Sequence, residues 1–294
     1  MLTLRYRLQP QDEGLTLRAV LRERMGLSYA QARALGGTAY RNGRSVYLNQ
    51  RAVAGDVLTV PLPPEETGVE PAQGEVRALY EDDALLAVFK PAGIETHPHR
   101  GGVSMLNLAL GFVRSREPSV CLHPVHRLDA GTQGILLFAK HGCVQAILMR
   151  QMCRGGFVKE YEGIARGRFA PPAGAIHLPV AHDPARGPAR CVSMEGKAAW
   201  TDYETLSIGV WRGLEISRVR FTLRTGRTHQ IRVHAGALGC PLLGDALYGG
   251  ACEGLSSYAL CAVRLCFEHP LTGIRVDIRI SAPWDPGFSC MLNS

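Results

Sequence analysis

The stretch His126–Lys140 reads HRLDAGTQGILLFAK, and its two halves differ in character. The first half is charged and polar, with His126, Arg127 and Asp129 leading into Gly131 and Gly134, which bracket a tight turn. The second half, Ile135 to Ala139, is a short apolar run bounded by that turn, the pattern of a buried strand. Asp129 is therefore expected on a loop whose far end is anchored in the core. A loop held in this way presents a carboxylate in a fixed direction, which suits a catalytic group. An aspartate in any other Gly-rich turn would more simply cap it and pair with its neighbour, here Arg127.

The rest of the chain is read outward from this point. Its 294 residues are enough for one large domain and a small one. With 46% hydrophobic and 20% charged residues, the composition is that of a soluble globular protein. No apolar run approaches a membrane span, and the first ten residues carry two arginines and no apolar signal core, so a cytoplasmic protein is expected. Nine cysteines are scattered without a Cys-x-x-Cys pair, which favours reduced thiols over a disulfide or metal framework. The net charge of +7 points to a polyanionic partner. Residues 1–64 hold nine arginines, no lysine and four acids, so +5 of that charge lies in this segment.

Residues 1–64 are expected to form a small basic module. Leu17, Val20 and Leu21 give an amphipathic helix within Leu15–Met25, and Ser28 caps a second helix from Tyr29 to about Leu35, ended by Gly36-Gly37. Strands are expected at Val46–Leu48 and Val57–Val60. Residues 65–75 form a Pro-, Gly- and Glu-rich linker, and a larger domain occupies 76–294. Within it the pattern predicts strands at Ala84–Phe89, Phe157–Arg166, Trp200–Leu206 and Leu214–Leu223, and helices at Val103–Val113 and His141–Arg154. Ile176–Arg190, with three prolines, reads as loop. No cluster of acidic or Cys ligands lies near His97 and His99 in sequence, so they are expected to line a cleft and not to hold zinc.

Several ordered strings resemble the RluA-type pseudouridine synthases. HRLDAGTQG matches that family's HRLDxxTSG, with Gln133 in place of Ser. Lys90-Pro91-Ala92-Gly93, Lys159-Glu160-Tyr161 and Gly226–His234 (GRTHQIRVH) follow its other motifs in order. So do Gly239–Gly249, with Cys240 where His is usual, and Leu260-Cys261-Ala262, where the family has Leu-His-Ala. Phe89 stands where the family has Asn. The likeness covers about Val76–Asp285. Residues 1–64 resemble the alpha-L RNA-binding motif, with Leu48-Asn49-Gln50 in place of its Val-Asn-Gly.

The resemblance implies an α+β fold, with a mixed, largely antiparallel central sheet flanked by helices and loops. It implies an isomerase that converts uridine within an RNA chain to pseudouridine, without cofactor or metal. It makes Asp129 the catalytic carboxylate, Tyr161 the ring that stacks on the base and takes part in proton transfer, and Arg232 the partner that keeps Asp129 ionised. Arg127, His126, Thr132, Lys90, Arg227, His229 and Gln230 become RNA contacts, and Leu260 an apolar contact to the base. The expected partner is RNA, most naturally 23S-type large-subunit ribosomal RNA, acted on by a monomer. Transfer RNA is the alternative substrate. A noncatalytic RNA-binding or ribosome-assembly factor on the same fold, or a hydrolase built on His126 and Asp129, are the competing functions.

Overall fold

The computed structural model describes residues 2–35, 39–99 and 101–284. Gly36 and Gly37, expected to end the second helix, and Asp285, expected near the end of the fold, lie outside them.

The N-terminal segment forms β1 (Thr3–Arg7), α1 (Leu17–Glu23), α2 (Tyr29–Ala34), β2 (Ala39–Arg41), β3 (Arg44–Val46) and β4 (Val57–Pro61). The four strands make an antiparallel sheet in the order β1-β4-β2-β3. The α1 helix begins where the Thr16 hydroxyl accepts the Ala19 N–H at 3.1 Å, and it buries Leu17, Val20 and Leu21. Ser28 and Gln31 cap α2 reciprocally. The strand expected at Val46–Leu48 lies earlier, at Arg44–Val46, and the β1 strand had not been foreseen. In β1 only Leu4 is fully buried, so its apolar alternation is too thin to stand out among arginines.

The larger part continues with β5 (Arg77–Glu81), β6 (Leu85–Lys90), α3 (Met105–Arg114), β7 (His123–Pro124), β8 (Gln133–Ala139), α4 (Gly142–Cys153) and β9 (Val158–Arg166). Then come β10 (Ala173–His177), β11 (Val180–His182), β12 (Arg190–Val192), β13 (Trp200–Trp211), β14 (Leu214–Leu223), α5 (Gln230–Ala237), β15 (Leu260–Glu268) and β16 (Arg275–Arg279). Ten of these strands form one sheet, whose main path runs β10-β13-β14-β9-β15-β8-β6-β5. Every pairing in it is antiparallel except β8 with β15. The fold class is thus α+β with a mixed, mostly antiparallel sheet. The Ile176–Arg190 stretch is not all loop. It holds the end of β10, all of β11 and the first residue of β12, which pairs with β11, and these strands are too short to show a period.

The parallel β8–β15 contact determines where the Asp129 loop enters the sheet. Gly134 has φ +113°, and a Cβ there would lie 2.3 Å from the Ala262 carbonyl oxygen. Only glycine allows the strands to meet this closely at that point.

Helices cover both faces of the sheet. On one face Leu86, Val88, Leu136, Phe138, Tyr161 and Phe221 pack with α3 and with Ile231 and Ala235 of α5. On the other face Leu85, Ala87, Ile135, Leu137, Leu265 and Phe267 pack with Val144 and Leu148 of α4. The N-terminal core, including Leu4, Leu17, Leu21 and Val60, is continuous with this second face. The acidic linker is seated too: Glu65 accepts the Gly142 N–H at 2.8 Å and lies 2.9 Å from His123 Nε2. Among the described residues no helix is long and apolar enough to cross a membrane.

Candidate active site

The Asp129 loop is held from two sides. Thr96 Oγ1 donates to the Leu128 carbonyl at 2.8 Å and accepts the Leu128 N–H at 3.1 Å. The Gly93 N–H donates to the Ala130 carbonyl at 2.8 Å, and Lys90 Nζ reaches the same oxygen at 3.0 Å. On the far side Ser257 Oγ donates to the Gly131 carbonyl at 3.0 Å, and Thr132 Oγ1 meets the Tyr258 hydroxyl at 3.1 Å. A loop tied at Leu128, Ala130, Gly131 and Thr132 leaves Asp129 little freedom except in its own side chain.

The Asp129 side chain faces the start of α5. His229, the residue that caps this helix, has φ 59° and ψ 16°, the left-handed region that a bulky residue seldom adopts. This turn directs the His229 backbone N–H at the Asp129 carboxylate and places His229 Nε2 3.9 Å from Oδ2. The Tyr248 hydroxyl accepts the Arg190 N–H at 2.8 Å and lies 2.9 Å from His229 Nδ1. The arrangement that satisfies all partners has Tyr248 donating to Nδ1, which puts the imidazole proton on Nε2, toward Asp129. Burial, with Arg232 and Arg190 nearby, pushes the His229 pKa down to about 4, so the ring is neutral at pH 7.

Arg232 departs from expectation. Its guanidinium makes a bidentate pair with Asp245, Nε to Oδ2 at 2.7 Å and Nη2 to Oδ1 at 2.9 Å, and both side chains are buried. It sits between two rings, 4.1 Å from the Tyr258 centroid and 4.9 Å from that of Tyr248. Asp129 feels Arg232 only as a nearby charge. The Asp129 pKa is consequently not kept low. Burial raises it above the ordinary 3.8, against the opposing pull of Arg232, Arg127, the His229 N–H and Lys90. The reason is competition: Asp245 already takes both forks of the arginine.

Asp129, Tyr161 and Arg232 nevertheless line one cavity of about 210 Å³, together with His126, Arg127, Thr132, Arg227, His229, Gln230 and Leu260. Tyr161 is 7% exposed and Leu260 3% exposed, and they supply apolar wall. Burial, with Asp129 close by, raises the Tyr161 hydroxyl pKa far above its ordinary 10.0, so the phenol stays protonated. Arg127 and Arg227 are exposed at the mouth. His126 Nε2 accepts the Leu137 N–H at 3.2 Å, and burial, with Lys159 nearby, pushes its pKa down to about 4. Arginines thus outweigh the one carboxylate in the lining, as an anionic ligand requires.

Three expected RNA contacts have other work. Lys90 is fully buried, and its Nζ donates to the carbonyls of Pro91 at 2.9 Å, Ile94 at 2.7 Å and Ala130 at 3.0 Å. All three donors are used, so no phosphate can reach them. Gln230 is 2% exposed; its amide donates to Trp200 O and Thr201 Oγ1 and accepts from Arg227 N and Thr225 Oγ1. Thr132 is engaged with Tyr258. His97 and His99 are not in the cavity wall. Conversely, Asp245, Tyr248 and Tyr258 join the site without a role expected from the sequence, although the first two stand in the Gly239–Gly249 string. Lys159 was read only as part of a motif, yet it too lines the cavity.

A carboxylate, a buried phenol and a paired arginine thus surround one cavity with a basic rim, suited to an anionic ligand. Residues 84–237 match the family model described as RNA pseudouridylate synthase, and the chain belongs to that family. It is an RNA pseudouridine synthase, an isomerase. It is similar to the uncharacterized RNA pseudouridine synthase YhcT of Bacillus subtilis (strain 168), at 37% identity over 79% of this chain and 77% of that one. It is also similar to the ribosomal large subunit pseudouridine synthase D of Vibrio vulnificus (strain CMCP6), at 35% identity over 80% and 76% of the two chains. Among solved structures, human RNA pseudouridylate synthase domain containing 1 superposes with a TM-score of 0.62 at 26% identity, over 78% of this chain and 91% of that one.

Proposed function

We propose that this enzyme isomerises specific uridines in structured large-subunit ribosomal RNA and that Asp129 is its catalytic carboxylate. The observation that carries the reading is the convergence of Asp129, Tyr161 and Arg232 on one small basic-rimmed cavity, from three segments far apart in sequence. The similarity to a large-subunit enzyme and the basic N-terminal segment favour ribosomal over transfer RNA.

The chemistry breaks the bond from the base nitrogen to the sugar, turns the base, and forms a carbon–carbon bond. The target base must leave its stack, which costs a few kcal/mol unless it lies in a loop. Arg127, exposed beside Asp129, fills the vacated space or holds a flanking phosphate. The detached base is retained between Tyr161 and Leu260 while it rotates. His229 orients the Asp129 carboxylate through its backbone N–H. The raised pKa of Asp129 sets the lower edge of the working pH range. The exposed arginines of residues 1–64 bind phosphates without reading sequence. The enzyme works as a monomer in the cytoplasm.

The test combines two measurements. Carbodiimide mapping of pseudouridines in total RNA, with and without the gene, identifies the target as a lost signal in large-subunit RNA; a signal lost only in transfer RNA rejects the ribosomal reading. In vitro, Asp129→Asn abolishes isomerisation and keeps RNA binding. Pseudouridine formed by that variant would remove Asp129 from the mechanism.

A further inference from the structure

Three lysines of this chain are buried, and two are fully accounted for. Lys90 donates to three carbonyls, and Lys140 Nζ pairs with Glu81 at 3.0 Å and Glu117 at 3.1 Å. Lys159 is 8% exposed and, among the described residues, has neither an ion pair nor a hydrogen bond. Its stem is buried, but its ammonium is not among the unpartnered atoms sealed from solvent, so the charge opens on the cavity. An unpaired cation in the wall of the reaction cavity is available to an anionic group that enters it.

Position says what that is. Lys159 and Tyr161 stand on the same face of β9, whose burial alternates through this stretch. Two residues along a strand span about 7 Å, the reach from a base past its sugar to its phosphate. Lys159 lines the same cavity as Asp129 and Tyr161, near Gly226. A Cβ at Gly226 would sit 3.6 Å from Lys159 Nζ, so the bare glycine leaves the ammonium open on that side. Burial lowers the Lys159 pKa, with Cys153 opposing the shift.

We propose that Lys159 is a phosphate-binding residue, its ammonium pairing with the phosphodiester next to the nucleotide held against Tyr161. The inference rests on the RNA-isomerase reading above and adds to it a positioning contact outside the reacting atoms. A lysine kept for packing or for an internal ion pair would stabilise the protein; one kept for an absent phosphate would not.

Lys159→Met, which keeps the length of the side chain and removes its charge, separates the two. The probe is a fluorescently labelled uridine decamer, which is unpaired and can place a base in the cavity without unstacking a helix. The variant is expected to bind it several-fold more weakly at low salt and to converge with the parent at high salt. The slope of log affinity against log salt should fall by about 0.7, the loss of one phosphate contact on a single strand. The melting temperature should equal or exceed that of the parent. An unchanged slope, a salt-independent parent, or a variant that melts lower and binds as before would overturn the proposal. Asp129→Asn in the same assay should keep the parental slope, so failure of the catalytic reading appears in product formation and failure of this one in binding.

Discussion

Replacing Lys90 by methionine tests the reinterpretation of the Lys90–Gly93 string. Methionine has a similar volume and no charge, so little cavity is left. What changes is the fate of three carbonyls. Ala130 O keeps the Gly93 N–H at 2.8 Å. Pro91 is exposed, so its oxygen recovers water; Ile94 is half-buried and recovers it only in part. One poorly resolvated carbonyl, plus lost hydrogen bonds from a charged donor, gives a loss of about 3 kcal/mol. With an m-value of about 3 kcal/mol per M for a chain this size, the urea midpoint should fall by about 1 M. Turnover should fall with it, because the Ala130 tether next to Asp129 is cut. Circular dichroism in urea gives the first quantity and a pseudouridine assay the second. A midpoint within about 0.2 M of the parent, together with a smaller salt slope for RNA binding, would show that Lys90 faces phosphate after all.

Two further expectations concern the charges. Because burial raises the Asp129 pKa, the acid limb of the rate profile should lie above 3.8; a limb at or below that value contradicts the environment described. The linked stability has the opposite sense: between 3.8 and the raised value the folded state binds the extra proton, so stability from this group falls as pH rises. It follows that Asp129→Asn should be at least as stable as the parent at neutral pH in a thermal melt. Arg232→Met strands the buried Asp245 carboxylate and should cost about 3–5 kcal/mol in urea denaturation. Adding Asp245→Asn should restore part of that stability, and a single variant as stable as the parent would rule out the pair described.

Much of the large domain was legible because its strands bury apolar runs. Ile135–Ala139 and Leu214–Leu223 follow from periodicity, and the capped helices follow from Ser28 and the apolar spacing of α1. What escaped was short or polar. The β1 strand has one fully buried residue, and β11 and β12 have three residues each in or beside a proline-rich stretch. A change of composition and a Pro-rich linker mark residues 1–64 as a small module. Composition carries no information on what an apolar face packs against, and the N-terminal core proves continuous with the α4 side of the sheet. Removing residues 1–64 would therefore bare that face, and substituting exposed arginines such as Arg5 and Arg7 is the cleaner probe of RNA binding.

The sequence by itself determined the local setting of the principal site residues, and its resemblance to the family pointed to Asp129, Tyr161 and Arg232 together. Asp129 on a Gly-bracketed loop, Tyr161 on an alternating strand and Arg232 near a helix start can all be read before any coordinate is known. It did not determine how those charges are distributed. Whether a lysine is open or capped by carbonyls, and whether an arginine pairs with Asp129 or Asp245, depends on contacts between segments many residues apart. Hydrogen bonds and ion pairs act over a few ångströms in space and not along the chain. Only the packed sheet could assign Lys90 to the loop, Arg232 to Asp245 and its two tyrosines, and leave Lys159 alone facing the cavity.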